Sequence, residues 1–263
     1  MLKSAYICPH PPLLIPSIGK NYFSQVKSTA RAMNELGNEI REKEISTIVI
    51  ISPHGPVQMD AMFINGSEYM QGDFSEFGGD TSMKVENNID LAGNIKKTAE
   101  AKEIPTEIMG ENIPLDHGVM VPLFFLKKHN PKIKIVSISF SYLDREKHFE
   151  FGEAIYEAIQ STEENIALVA SGDLSHRLTI GAPSGYSPKG KEFDELLMEL
   201  LEKNEVGEII NLNSSLVEEA GECGLRSIII LLGALSTSKY KFEKLSYEGP
   251  FGVGYLVGKF AIM

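Results

Sequence analysis

Thr47-Ile-Val-Ile-Ile51, followed at once by Ser52-Pro-His54-Gly-Pro56, decides the fold. The first five residues are all β-branched and show no polar alternation, which is how a strand buried on both faces reads. Pro53, Gly55 and Pro56 then stop the strand and leave His54 at its carboxyl end. The same phrase recurs on either side. Ser4 to Cys8 is a short strand stopped by Pro9, with His10 in Cys8-Pro-His10-Pro-Pro. Ile166 to Ala170 is another buried run, followed by Ser171-Gly-Asp-Leu-Ser-His176-Arg-Leu. Ile133 to Ser139 repeats the buried pattern, and Ala61 to Ile64 reads as a further strand.

Helical segments separate these runs. They are predicted over Phe23 to Lys43, Asn88 to Lys102, Gly118 to Lys128, Glu146 to Gln160, Lys189 to Lys203 and Leu225 to Leu235. In the fifth, Phe193, Leu196, Leu197, Leu200 and Leu201 fall at helical spacing and make one apolar stripe. Strands alternating with helices predict parallel βαβ units. The expected fold is therefore α/β: a single domain over residues 1–263, with a mainly parallel central sheet flanked by helices on both faces. Lys239 to Ile262 carries two strand-like runs around Glu248-Gly-Pro250 and is read as antiparallel to the rest.

The chain has 263 residues, 43% apolar and 23% charged, enough to bury a full core without disulfides. Asp and Glu number 36 against 25 Lys and Arg, a net charge of −11. That balance repels phosphates and argues against nucleic acid or an anionic membrane surface as partner. Two cysteines, Cys8 and Cys223, make no disulfide framework, and neither a secretory leader nor a spanning segment is evident, so a cytoplasmic location is expected.

The chemistry lies in the histidines. His10, His54 and His176 each follow a strand, and parallel strands put all three imidazoles on one edge of the sheet, where open α/β sheets bind their ligands. His117, in Pro-Leu-Asp-His-Gly before an apolar helix, can join them. His129 and His148 sit in charged helical stretches and read as solvated surface. Two His plus one carboxylate form the facial triad of non-haem Fe(II), with the remaining histidines free for acid–base work. Candidates for the third ligand are Glu222, Cys223 and Glu248, the last reading better as part of a turn. Asp173 either orients an imidazole or shapes the turn after its strand. Tyr186 and Lys189 lie in a loop after His176 that either covers the pocket or merely connects.

Together these segments resemble the LigB-type class III extradiol ring-cleavage dioxygenases, and most closely the branch related to the Memo proteins. The matching pieces are Cys8-Pro-His10-Pro-Pro-Leu-Leu, Ser52-Pro-His54-Gly, Asp116-His117-Gly-Val-Met-Val-Pro-Leu, Ser171-Gly-Asp-Leu-Ser-His176-Arg-Leu and Gly221-Glu-Cys-Gly224. They occur in family order and span nearly the whole chain. The resemblance implies an Fe(II) site held by His10, His54 and a late acid, with His176 as catalytic base and His117 as second active-site histidine. The late acid falls on Glu222 with one residue of slip, and on Cys223 when aligned on the following glycine. Glu222 restores the facial triad and is preferred here. Cys223 is the alternative, and a thiolate would shift the metal toward Zn or Cu. The implied reaction is O₂-dependent cleavage of a small catechol-like ring. The alternatives are a Memo-like metal-binding or redox protein without ring cleavage, and a metal-dependent hydrolase. The family also suggests a homodimer, and related chains can carry a further C-terminal domain.

Overall fold

The runs read as doubly buried strands lie side by side in the computed structural model, which describes residues 1–110 and 113–263. In chain order the strands are β1 (Leu2–Cys8), β2 (Thr47–Ser52), β3 (Met62–Asn65), β4 (Tyr69–Asp73), β5 (Ser82–Glu86), β6 (Thr106–Met109), β7 (Lys134–Ser139), β8 (Ile166–Ser171), β9 (Tyr240–Glu248) and β10 (Tyr255–Ile262). Eight form one sheet in the order β6-β3-β7-β2-β8-β1-β10-β9, and β4 pairs with β5 in a separate hairpin. The central four, β7, β2, β8 and β1, are mutually parallel. Antiparallel pairing begins at β3 on one side and at β10 on the other. The C-terminal strands are thus antiparallel, as their hairpin-like sequence predicts.

The helices are α1 (Pro16–Gly19), α2 (Lys27–Glu42), α3 (Ile89–Ala101), α4 (His117–Leu126), α5 (Arg145–Gln160), α6 (Pro188–Lys203), α7 (Val206–Ile210), α8 (Ser214–Ala220) and α9 (Leu225–Ala234). Strand periodicity assigns them to two layers. Val49 and Ile51 of β2, with Leu168 and Ala170 of β8, face the core beneath α3, α5 and α9. Ile48 and Ile50, with Ala167 and Val169, face the core beneath α2 and α4. Every residue of β2 and of β8 is buried, so no polar alternation survives in their sequence.

The register positions the site. Cys8, at the end of β1, lies opposite Ser171, at the end of β8; Ile51 of β2 lies opposite Ala170. Three neighbouring parallel strands therefore stop at the same level. The segments carrying His10, His54 and His176 leave from one edge.

His148 departs from its sequence reading. It is fully buried, not solvated, with Nδ1 2.6 Å from the Asp144 carbonyl and Nε2 3.1 Å from that of Ser141. It belongs to the inward stripe of α5 with Phe151, Ile155 and Ile159, and the charges around it occupy the outer face.

Candidate metal centre

His10 is placed by its backbone before its ring is considered. Its N–H donates to Asp173 Oδ1 at 3.0 Å, tying the β1 exit to the β8 exit. A shared proton then fixes the ring. Ser171 Oγ donates to the carbonyl of Gly118 at 2.5 Å. Its single proton is used there, so at 3.0 Å it accepts from His10 Nδ1–H. The His10 tautomer follows: Nδ1 carries the proton and Nε2 presents its lone pair, the arrangement of a metal-ligating histidine.

That lone pair points at two other donors. His54 Nε2 lies 3.0 Å from His10 Nε2, and Cys223 Sγ lies 3.6 Å from it. The donor atoms of His10, His54 and Cys223 all fall within 4.8 Å of one another. Bonds of about 2.1 Å to nitrogen and about 2.3 Å to sulfur hold ligands of one ion roughly 3–3.6 Å apart. The two measured edges match that spacing, so the donor set fits a single divalent ion. A thiol and two imidazoles are also the ligand types that suit Zn, Cu or Fe, in contrast to Mg or Ca.

Cys223 reaches the cluster because two glycines touch. A Cβ on Gly172 would stand 2.1 Å from the Gly224 Cα, so only glycine allows the segment before α9 to lie against the end of β8. The Cys223 N–H donates to the Asp173 carbonyl at 3.3 Å, and Asp173 N–H donates to Sγ at 3.3 Å. Glu222 turns away from the cluster. Its Oε2 accepts the Leu225 N–H at 2.6 Å, at the start of α9, where a helix favours negative charge. Glu222, the preferred third ligand, is not among the donor atoms that gather here; the group that could hold a metal is His10, His54 and Cys223, the alternative. Glu248 also lies elsewhere: it accepts from Thr29 N–H and Oγ–H in the first turn of α2.

His117 and His176 complete the histidine group. The Asp116 side chain caps α4 by accepting from Val119 N–H at 3.2 Å, and Ser52 Oγ donates to the same oxygen at 2.6 Å. His117, the next residue, stacks on His54 with ring centroids 4.1 Å apart and lies 5.4 Å from the His10 ring. Phe77 covers it edge-on at 5.2 Å. The sequence reading missed Phe77; it comes from the turn between β4 and β5, a hairpin too polar to read as paired strands. His176 N–H donates to the Ala220 carbonyl, and its Nδ1 is buried with no partner among the described residues. Tyr186 and Lys189 do not join the group. Tyr186 is exposed, and Lys189 pairs with Glu192 at 2.7 Å. Tyr186 lies in a connecting loop, and Lys189 in the first turn of α6.

Electrostatics favour neutral imidazoles. Burial, then the nearby His54, His117 and His176, push the His10 pKa well below its usual value. Desolvation and His117 bring His54 to about 4, although part of its side chain is open to solvent. Desolvation also lowers His117 and His176. Burial raises the Cys223 thiol and Asp173, the latter to about 7. In this environment a cation gains what protons cannot, because four neutral imidazoles and two reluctant acids surround the position. A cleft of about 640 Å³ reaches the cluster along His54, His117 and Phe77.

Fold and site define a class: an α/β protein with a histidine-rich candidate metal centre at the carboxyl edge of a mainly parallel sheet. Residues 4–258 match the family model described as the catalytic LigB subunit of aromatic ring-opening dioxygenase, and the chain belongs to that family. A Clostridium acetobutylicum protein whose name carries no function is 36% identical across 98% of this chain; the chain spans 57% of that relative's length. An Escherichia coli protein named 3,4-dihydroxyphenylacetate 2,3-dioxygenase is 28% identical, covering 78% of this chain and 79% of its own. The crystal structure of an uncharacterized Escherichia coli protein superposes with a TM-score of 0.70 over 98% of this chain and 99% of that one, at 18% identity, which shows the shared fold. Among the described residues, no helix is long and apolar enough to cross a membrane.

Proposed function

We propose that this chain is a metal-dependent dioxygenase that opens a small catechol-like ring with O₂ in the extradiol manner. The observation that carries the reading is the convergence of His10 Nε2, His54 Nε2 and Cys223 Sγ at one point of the sheet edge. In this reading these three residues hold the metal, which supplies a Lewis-acidic point where a diol and O₂ meet. The residues of the chain do the rest. Ser171 keeps the His10 lone pair aimed at the metal. His176, kept neutral by burial and close to the His10 and His54 imidazoles, is the base that takes a proton from a substrate hydroxyl. His117, neutral and stacked on His54 in the wall of the open cleft, holds a proton at the reacting ring. Phe77 and Leu115 line the same cleft and give the ring an apolar surface.

Fe(II) is the metal this chemistry calls for. The thiol of Cys223 supports a second reading, because thiolates favour softer Zn or Cu. On that reading the chain is a metal-binding or redox protein that does not open rings. Anaerobic loading with Fe(II), followed by O₂ uptake and product analysis over a panel of catechols, separates the two. Stoichiometric uptake with a ring-opened product supports the dioxygenase. No uptake at full iron occupancy across the panel supports the second reading.

A further inference from the structure

A guanidinium without a partner lies beside the candidate metal donors. Arg226, in the first turn of α9, has its Nε buried with no hydrogen-bond partner. Among the described residues the arginines that pair with a carboxylate are Arg31 and Arg41, not Arg226. An unsatisfied buried donor is costly, and a charged one more so. The side chain is nevertheless held in place: its guanidinium carbon stands 5.8 Å from the Phe140 ring centroid and 5.6 Å from that of Tyr142. Aromatic faces grip the cation and leave its in-plane donors free.

These donors meet a cavity. A space of about 220 Å³ has His54, Cys223 and Arg226 together in its wall, with Phe140 and Tyr142 beside them. Tyr142, Glu222 and Arg226 also line an adjoining cleft of about 710 Å³. A ligand reaching the metal donors from that side passes the guanidinium. Glu222 is the acid that shares both cavities with Arg226, and the first N–H of α9 already takes its carboxylate; Asp144, Glu146 and Glu218 line the larger cleft but not the smaller one. Arg145 adds a second guanidinium, donating to the carbonyls of Ile210 and Leu212.

We infer that Arg226 is an anion-recognising residue: the ligand of this site carries a carboxylate or phosphate group that pairs with Arg226 while the rest of it reaches the metal donors. The inference rests on the proposed metal site and names what the substrate carries. A planar fork of N–H donors matches an oxyanion in two parallel bonds, which a lysine cannot reproduce.

The test reads binding, so it does not depend on turnover. The metal-loaded protein is titrated calorimetrically with a catechol bearing a carboxylate and with one bearing a hydroxymethyl group at the same ring position. Expected is a preference of about tenfold or more for the carboxylate, the size of a charge-assisted bond in a screened site. R226Q should bind the two within about twofold, and R226K should keep a weakened preference because it retains charge without the fork. Benzoate and inorganic phosphate, used as competitors, distinguish the two oxyanions; displacement by either supports the subsite. Equal affinity of the wild type for both catechols, or a preference that survives R226Q at full strength, overturns it. Metal content measured on each variant confirms that the site is intact, and a poorly folded R226Q leaves the decision to the wild type and R226K. Anion preference without ring opening defeats the dioxygenase reading alone; ring opening with no anion preference defeats this inference alone.

Discussion

Ser171→Ala removes the hydroxyl that accepts from His10 Nδ1–H, with no change of charge and little change of volume. The ring is then free to carry its proton on Nε2, where a metal needs the lone pair. Loss of such an outer partner costs about 10–100-fold in metal affinity. Competition against a chromophoric chelator measures it; unchanged affinity would show that the tautomer is set by something else. A second buried acid gives a pH signature of its own. Asp194 accepts from Ser175 N–H at 2.8 Å and from the Tyr247 hydroxyl at 2.6 Å, and burial raises its pKa from 3.8 to about 7. The folded protein therefore holds this proton where the unfolded chain has lost it. The stabilisation is complete below about pH 4 and is lost as pH rises through about 7. Asp194→Asn should flatten that slope by an amount on the order of a few kcal/mol, read from chemical denaturation at several pH values. Identical slopes in both proteins would exclude Asp194 as its source. At this scale the sequence showed which histidines follow strands, but not which neighbour of Gly224 turns inward. Glu222 and Cys223 are adjacent; Glu222 accepts from Leu225 N–H, and the Cys223 sulfur lies with the two histidines.

Elements carry the donors into range. The ends of β1, β2 and β8 were legible because buried parallel strands leave long apolar runs, and proline or glycine marks where each stops. The β4–β5 hairpin was not legible. Met70 is the one fully buried residue of β4 and Val85 that of β5, too little apolar pattern to predict a pair. Phe77 was hidden with it. His148 was misread for the opposite reason: charges on the outer face of α5 masked an inward stripe whose spacing to Phe151 and Ile155 was visible in the sequence. The contact between β8 and the segment before α9 gives a test at this scale. Gly172→Ala sets a Cβ against backbone at Gly224, which cannot move without displacing Cys223. A loss of about 1–3 kcal/mol in stability is expected, with weakened metal binding in the protein that still folds. Thermal melting with and without metal checks it; a variant with wild-type stability and affinity would mean that the two segments need not touch.

The whole molecule gathers one candidate site from residues 10, 54, 117, 176 and 223, spread over most of the chain. Four of these stand at the carboxyl edge of a parallel strand or at the helix start facing it, so α/β topology suffices to bring them together. Their order along the chain also carried the family resemblance, and the family model spans the same residues. Among the described residues the antiparallel C-terminal strands bring no donor to the cluster; Glu248, at the end of β9, bonds to Thr29 instead. They complete the sheet beyond β1, and Gly254 N–H donates to the Ser175 carbonyl, bracing the segment that ends in His176.

The most direct measurement is elemental analysis of protein purified without chelators or added metal, comparing wild type, Cys223→Ala, Glu222→Ala and His10→Ala. Near-stoichiometric metal in wild type and Glu222→Ala, with loss in Cys223→Ala and His10→Ala, is the expected result. Metal retained by Cys223→Ala and lost from Glu222→Ala would contradict a centre built on His10, His54 and Cys223.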